Sequence, residues 1–476
     1  VATTYRLLSA LAVIAVLAVV ATSSAKQLRR TETRGDVEIY IHAARLVLGG
    51  ENLYAVPEPR GRQPYLYLPL FAFLAIPLTF VPFALAVVAW SLLNVTLAGW
   101  MVVAFFKAMT GRPFSSLSPT ARWIVGFFSI LLTLRALLYH LDLGQANLVV
   151  MAIAVLGLAW LAAGRSFAAG VAIGMATILK IIVLPLWIPF IAQRRWRVTG
   201  GIACGVVAGL LAPALYFGLD LNLSYLSYWL EEVILPVNDL RATRHWPLNM
   251  NYSLAAQVYR FFGGVVAFEH DGRLYNVTIV RLSDPVLHLA GRLAPVATAL
   301  VIGLYAWTHR RQPPLVSLWG SVALAFCLAP LFSLLSHKHY WVMLLPAHVY
   351  VVYLWYVLQV RDRWFRILVV ASFVVAILST TLFGGLGALM SNLGGLAWGA
   401  ILLAAAIFRV AAFSPRREVT GPAPFNEPAS APRGSACRSP GPGTGGGTTR
   451  PPGSASTPAG GSGTSPGGSP RGSPPR

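Results

Sequence analysis

Asp36 and Glu38 stand two residues apart in the stretch TRGDVEIYIHAARLVLGGENLY (residues 33–54), in a chain that carries 37 Lys and Arg against 16 Asp and Glu. A lone carboxylate among so many cations can do one of two things. It can take a proton from a hydroxyl group, or it can cap a helix by accepting a backbone N–H. The local pattern reads as a cap, with Asp36 accepting from Glu38 or Ile39. Cations able to hold an anion fall in three places: Lys180 inside the apolar run FAAGVAIGMATILKIIVLPLWIPFIA (167–192), His337, Lys338 and His339 in LSHKHY (335–340), and Arg241, Arg244 and His245 in RATRH (241–245). Gln145 and Asn147 in LGQAN (143–147) carry amides that either bond hydroxyl groups or cap the next helix. On a helix, Asp36 and Glu38 point about 200° apart, so they share neither a reaction centre nor a divalent metal, and no metal site is expected. Cys204, Cys327 and Cys437 show no pairing pattern and no CxxC spacing, so no disulfide framework is implied.

The elements that position these residues are membrane helices. Hydrophobic residues make up 56% of the chain and charged ones only 11%, far outside the range of a soluble domain. Apolar runs of roughly 17 to 25 residues, the length that crosses about 30 Å of hydrocarbon, recur to about residue 413. The net charge of +21 does not indicate nucleic acid, because the basic residues gather in short clusters at the ends of apolar runs: RRWR (194–197), HRR (309–311) and RDRWFR (361–366). That distribution marks cytoplasmic turns. The first run, Leu7 to Ala25, reads as a span or as a cleavable signal peptide.

With the basic clusters inside, residues 198–219, 286–308, 315–334, 340–360, 365–383 and 395–413 each cross once. Residues 33–64, 143–147, 220–285 and 335–340 then share the outer face. Two segments break this rhythm. YLYLPLFAFLAIPLTFVPF (65–83), interrupted by Pro69, Pro77 and Pro82, is expected to contain a short or re-entrant helix before the next span; the other way to satisfy the crossing count is to place 107–121 outside. Residues 167–192 are expected to form a hairpin of two short helices with Lys180 at its apex, a geometry that lines a cavity. An ionisable group there costs about 2.5 to 3.5 kcal/mol on insertion scales and marks function more often than chance. Val37, Tyr40, Ile41, Ala44 and Leu48 form the apolar face of an amphipathic helix ended by Gly49 and Gly50. The chain divides into a transmembrane domain, 1–413, and a Pro, Gly, Ser and Thr-rich tail, 414–476, expected to be disordered and cytoplasmic.

Taken in order, GDVEIYIHAARLVLGGENLY, YLYLPLFAFLAIPL with Tyr67, LGQAN, the apolar run with Lys180 ahead of Pro185 and RRW, and SHKHYWVMLLP resemble glycosyltransferase family 87. The matching blocks run from residue 36 to about 346. The resemblance implies an all-α polytopic membrane protein, a GT-C type bundle of about 10–13 transmembrane helices with an amphipathic first outer loop. It implies transfer of a sugar, most commonly mannose, from a polyprenyl phosphate carrier to a glycolipid or cell-envelope glycan acceptor on the outer face of the cell membrane. Asp36 then becomes the catalytic general base. Lys180, His337, Lys338 and His339 become donor phosphate ligands, and Tyr67, Gln145, Asn147, Arg241, Arg244 and His245 substrate contacts. The donor is a substrate and no cofactor is implied. Because a sugar phosphate carries its own good leaving group, one base and several cations suffice, without the paired carboxylates of a glycosidase. Other readings are transfer of arabinofuranose from the same class of carrier, and a flippase or transporter, which would show internal repeats that this sequence lacks.

Overall fold

The computed structural model describes residues 2–30, 35–54, 65–235, 251–264, 268–270, 273–379 and 383–412. The tail 414–476 and the RATRH cations Arg241, Arg244 and His245 lie outside the described residues.

The structure is helical almost throughout. After α1 (Ala2–Arg29) comes α2 (Asp36–Gly49), then the short α3 (Pro69–Ala75) running into a 3₁₀ turn at Ile76–Phe80, then α4 (Phe83–Thr110) and α5 (Pro119–Leu143). Next are α6 (Asn147–Ala162), α7 (Ser166–Leu179), a 3₁₀ turn Ile181–Leu186 leading into α8 (Trp187–Ala192), and α9 (Trp196–Leu211). Among the described residues, 8 helices are long and apolar enough to cross a membrane, and shorter apolar helices stand at Pro69–Phe80, Asn147–Ala162, Ser166–Leu179 and Ile181–Ala192. The chain is a polytopic membrane protein. Small departures from an all-α fold and from a plain outer loop occur together: the described parts of 220–285 include the helix Leu254–Phe262 and an antiparallel ribbon pairing Phe268–His270 with Arg273–Tyr275.

The two irregular segments have physical causes. Pro69 starts α3 where its missing N–H costs nothing, and Pro77 and Pro82 then bound the 3₁₀ turn, so only a 7-residue helix forms before α4 takes a full span of 28 residues. In the second segment the helix stops at Leu179, because Lys180 is extended (φ −157°), and Pro185 keeps the return leg in a 3₁₀ turn. Trp187 Nε1 donates to Thr177 Oγ1 at 2.9 Å across this hairpin. At 1.5 Å per residue α7 is about 21 Å long, so Lys180 stops short of a full bilayer crossing.

What fixes the apex in place is the packing of α7 on α9, which are in closer contact than any other pair of elements. Gly170 and Gly174 on one helix face Gly201 and Gly205 on the other; a Cβ on Gly170 would sit 2.7 Å from Ile202 N, and one on Gly205 2.9 Å from Val171 Cα. Small residues four apart let two backbones touch, which is how helices associate where lipid removes the hydrophobic drive.

Candidate active site

Asp36 is the first residue of α2, not its cap. The cap position belongs to Gly35, at φ 83°, and no side chain caps the helix, so the capping reading is corrected. The reason is steric: a Cβ at Gly35 would lie 2.8 Å from the Leu143 carbonyl oxygen, and one at Gly144 (φ 68°) 2.7 Å from Val37 Cγ2. Two glycines in the left-handed range thus let the turn before Asp36 rest on the turn before Gln145. Gln27 at the end of α1 clamps the same junction, its Nε2 donating to the Leu141 carbonyl at 2.8 Å.

The carboxylate so released from the backbone meets two side chains, Gln145 and Tyr40. Gln145 Nε2 donates to Asp36 Oδ2 through a short hydrogen bond, and Gln145 Oε1 accepts from Lys180 Nζ at 3.0 Å. The amide of a buried glutamine therefore stands between an acid and a base, in the orientation that satisfies both charges. Tyr40, a turn further along α2, donates its hydroxyl to Asp36 Oδ2 at 3.5 Å and shares a hydrogen bond of 3.2 Å with the Tyr67 hydroxyl. Burial holds the Tyr40 hydroxyl well above its ordinary range, so it stays a donor. Burial also pushes the Asp36 carboxyl up to about 6, against the pull of Lys180, the Tyr40 hydrogen bond and Arg30. A carboxyl tuned in this way is ionised at neutral pH and still basic enough to take a proton.

Aromatic rings line the site. Lys180 Nζ lies 5.4 Å from the centre of the Tyr67 ring and 5.0 Å from that of Tyr340. Tyr67 stacks on Phe71 at 4.5 Å, and Tyr40 meets Phe71 and Trp90 edge-on. Trp90 Nε1 donates to the carbonyls of Gly144 and Gln145 at 3.0 and 3.3 Å, which fixes the backbone that carries the bridging amide.

The remaining residues named from the sequence separate. Asn147 opens α6 but caps nothing; fully buried, it donates to the His339 carbonyl at 2.9 Å and ties LGQAN to the HKH segment. HKH does stand at a helix start, with His337 at the N-cap position of a 3₁₀ turn over Lys338–Leu344 and no side-chain cap bond there. Its side chains diverge: Lys338 Nζ lies over the Tyr252 ring at 5.7 Å, while buried His339 packs against Tyr340 and His337 at 4.5 and 5.6 Å. Glu38 lies in the first turn of α2, its backbone N–H donating to the Gly35 carbonyl at 3.2 Å. Among the described residues no group of three His, Cys, Asp or Glu is placed to hold a metal ion.

Sequence reasoning missed Tyr40, Trp90, Tyr340 and Arg30. The aromatic residues carried no local signal, since each sits in an apolar run.

A half-buried acid, bridged to an ammonium by an amide and walled by tyrosines in a polytopic helical bundle, is a site suited to acid–base chemistry on a polar substrate at a membrane. The sequence model of glycosyltransferase family 87 matches residues 65–333, more than half of the chain, and the chain belongs to that family: it is a membrane glycosyltransferase. The matched region takes in Tyr67, Gln145, Asn147 and Lys180; Asp36 precedes it and the HKH segment follows it. Among solved structures, ArnT from Cupriavidus metallidurans, in a crystal structure bound to undecaprenyl phosphate, is similar over 85% of this chain and 77% of its own, at 14% identity and a TM-score of 0.35. No curated protein matches.

Proposed function

We propose that the protein transfers a sugar, mannose, from a polyprenyl phosphate donor to a hydroxyl group of a lipid or glycan acceptor on the outer face of the cell membrane, with inversion at the anomeric carbon. Asp36 is the general base. It takes the proton of the acceptor hydroxyl as that oxygen attacks C1; the bond from C1 to the phosphate oxygen breaks, and the phosphate departs with the electron pair. Attack and departure on opposite faces of the ring invert the centre in one step. Lys180 and Lys338 stabilise the negative charge that gathers on the phosphate.

The observation that carries this reading is the Asp36–Gln145–Lys180 bridge. It places one carboxylate and one cation on either side of a neutral amide, the minimum set for a displacement whose leaving group needs no protonation. Membership of a sugar-transferring family supports the reaction class.

The test uses purified protein in lipid with a panel of polyprenyl phosphate sugars and glycolipid acceptors. Wild type should turn over the mannosyl donor. Asp36→Asn keeps the size of the side chain and its hydrogen bonding but cannot take a proton, and should lose about 10² to 10⁴ in rate while its melting temperature is retained. Glu38→Gln should cost less than about tenfold. An Asp36→Asn enzyme at near wild-type rate overturns the base assignment and moves the search to Glu231 and Glu232, which are exposed beyond the helix Leu219–Tyr228, and to Asp239, which lies outside the described residues.

A further inference from the structure

Arg409, in the last turn of the helix Gly395–Ala412, donates Nε and Nη2 to the two oxygens of Asp362 at 3.2 and 3.0 Å. Asp362 also caps the helix Arg363–Leu378, accepting from Phe365 N at 2.7 Å, so its charge is already neutralised within the protein. The cations on either side of it are not. Arg361 and Arg363 are exposed and form no ion pair among the described residues. Arg363 lies 5.5 Å from the centre of the Trp364 ring, and Arg366 lies 5.7 Å from that of Trp355. Trp364 is itself exposed, and an exposed tryptophan at the end of a spanning helix marks the level of the lipid headgroups.

Arg409 also lines a cavity of about 580 Å³, within the range of about 300 to 1,000 Å³ usual for ligand sites. The cavity runs between the helices Asp284–Thr308, Gly320–Phe332, Arg363–Leu378 and Gly395–Ala412, with Ala297, Val301, Leu328, Leu368, Ile401 and Ala405 in its walls. Thr298, also in the wall, donates its hydroxyl to the Ala294 carbonyl at 2.9 Å, so the surface it offers is apolar. Ala297 and Val301 are exposed in the middle of a spanning helix, and the cavity therefore opens sideways, towards the hydrocarbon. Asp36, Gln145 and Lys180 do not line it.

We propose that this cleft binds an anionic phospholipid of the cytoplasmic leaflet, with one acyl chain in the cavity and the phosphodiester held by Arg361 and Arg363 beside the Arg409–Asp362 pair. Arg361, Arg363, Arg366 and Arg409 stand against a single acid, and a basic pocket between spanning helices on the cytoplasmic side selects an anionic head over a zwitterionic one. The apolar walls take the chain. The bound lipid joins the helices Arg363–Leu378 and Gly395–Ala412, which pack closely on each other, to the helix Asp284–Thr308, which meets them through Tyr305 against Phe408 at 4.9 Å. It is a site apart from sugar transfer, and it stabilises the fold by mass action.

Titration of the full-length protein in detergent with phosphatidylglycerol or phosphatidylcholine, read by native mass spectrometry, tests the site. Wild type should bind phosphatidylglycerol about tenfold or more tightly than phosphatidylcholine, and phosphatidylglycerol should raise its melting temperature. Arg361→Gln combined with Arg363→Gln should remove most of that preference and leave phosphatidylcholine unchanged. Arg165→Gln combined with Arg197→Gln removes two exposed cations from other basic turns and should leave the preference within about twofold. Ala297→Phe, which enters the cavity from an exposed position, should weaken phosphatidylglycerol by about fivefold or more, abolish the rise in melting temperature and spare the short dihexanoyl form. Equal binding of the two lipids by wild type overturns the proposal, as does an equal loss in the two double variants, which would make the attraction a property of the whole basic face. Tighter binding of undecaprenyl phosphate than of phosphatidylglycerol at the same cleft overturns it as well. Because lipid binding is the readout, the result stands whether or not the reaction proposed above is correct.

Discussion

The ammonium of Lys180, at the break of a membrane hairpin, donates to the side-chain carbonyl of Gln145 at 3.0 Å. The same amide donates from its other end to Asp36. Acid and base are thus held near each other without direct contact, which leaves the outer edge of each available to a substrate; Asp36 and Lys180 are both partly exposed.

Because Gln145 is a bridge, changing either end should alter the carboxyl. Gln145→Leu removes a donor to the carboxylate and Lys180→Met removes the nearest cation, and both changes favour the protonated acid. Each variant should lose about ten- to a hundredfold in kcat/KM, the scale of a hydrogen bond to a charged group, and each should move the acid limb of the pH profile upwards. The double variant should lose less than the product of the two, as residues of one network do. Additive losses with an unmoved acid limb would separate the two residues.

A carboxyl pushed up to about 6 predicts the wild-type profile. Below pH 6 the base is protonated and kcat/KM should rise with pH at a slope of about one on logarithmic axes; above it the rate should level. The sign for stability is opposite. The folded carboxyl holds its proton more tightly than the unfolded one, so this group's contribution is present below its ordinary value of 3.8 and is lost as pH rises through about 6. Measurements of kcat/KM from pH 4.5 to 8 decide the matter, and a rate already level at pH 4.5 would show that burial does not raise this carboxyl in the free enzyme.

Gly35 should be intolerant of any side chain. Gly35→Ala would meet the Leu143 carbonyl oxygen at 2.8 Å and strain a backbone at φ 83°, a cost of about 1 to 3 kcal/mol. Since the displaced turn carries Asp36, activity should fall more than the melting temperature suggests. Gly164→Ala, at φ 81° with open space around its Cβ, is the control for backbone strain alone and should leave kcat/KM within about threefold.

The four segments assigned to the outer face are tied to one another: Leu53 N to the Tyr225 hydroxyl, Asn147 to the His339 carbonyl, and Tyr252 N to the Ser336 carbonyl. In a variant without native cysteines, Glu51→Cys and Glu232→Cys should react with an impermeant thiol reagent in intact cells, and Arg165→Cys and Arg311→Cys should not. All four positions are exposed, so accessibility to the reagent reports sidedness. Reaction at the two arginine positions with protection of the two glutamates would invert the arrangement.

The sequence by itself determined the class of the molecule and the places where its helices break. Hydrocarbon tolerates no unpaired backbone, so apolar runs of sufficient length must be helices, and prolines at 69, 77, 82 and 185 act on their own neighbours; the short helix before α4 and the hairpin at Lys180 follow from local chemistry. Lys180 was legible for the same reason, because a charge inside an apolar run has a cost that composition alone reveals. Asp36 was legible as a residue and not as a state: read locally it was a cap, and only the approach of Leu143 to Gly35 gave the cap to glycine and freed the carboxylate. Gln145 and Asn147 looked alike in LGQAN, yet one bridges the charges and the other ties two loops together, a difference set by neighbours 109 and 192 residues away. Tertiary structure likewise divided HKH, sending Lys338 to Tyr252 and burying His339 against Tyr340, because a 3₁₀ turn points successive side chains in different directions and only packing says what each one meets.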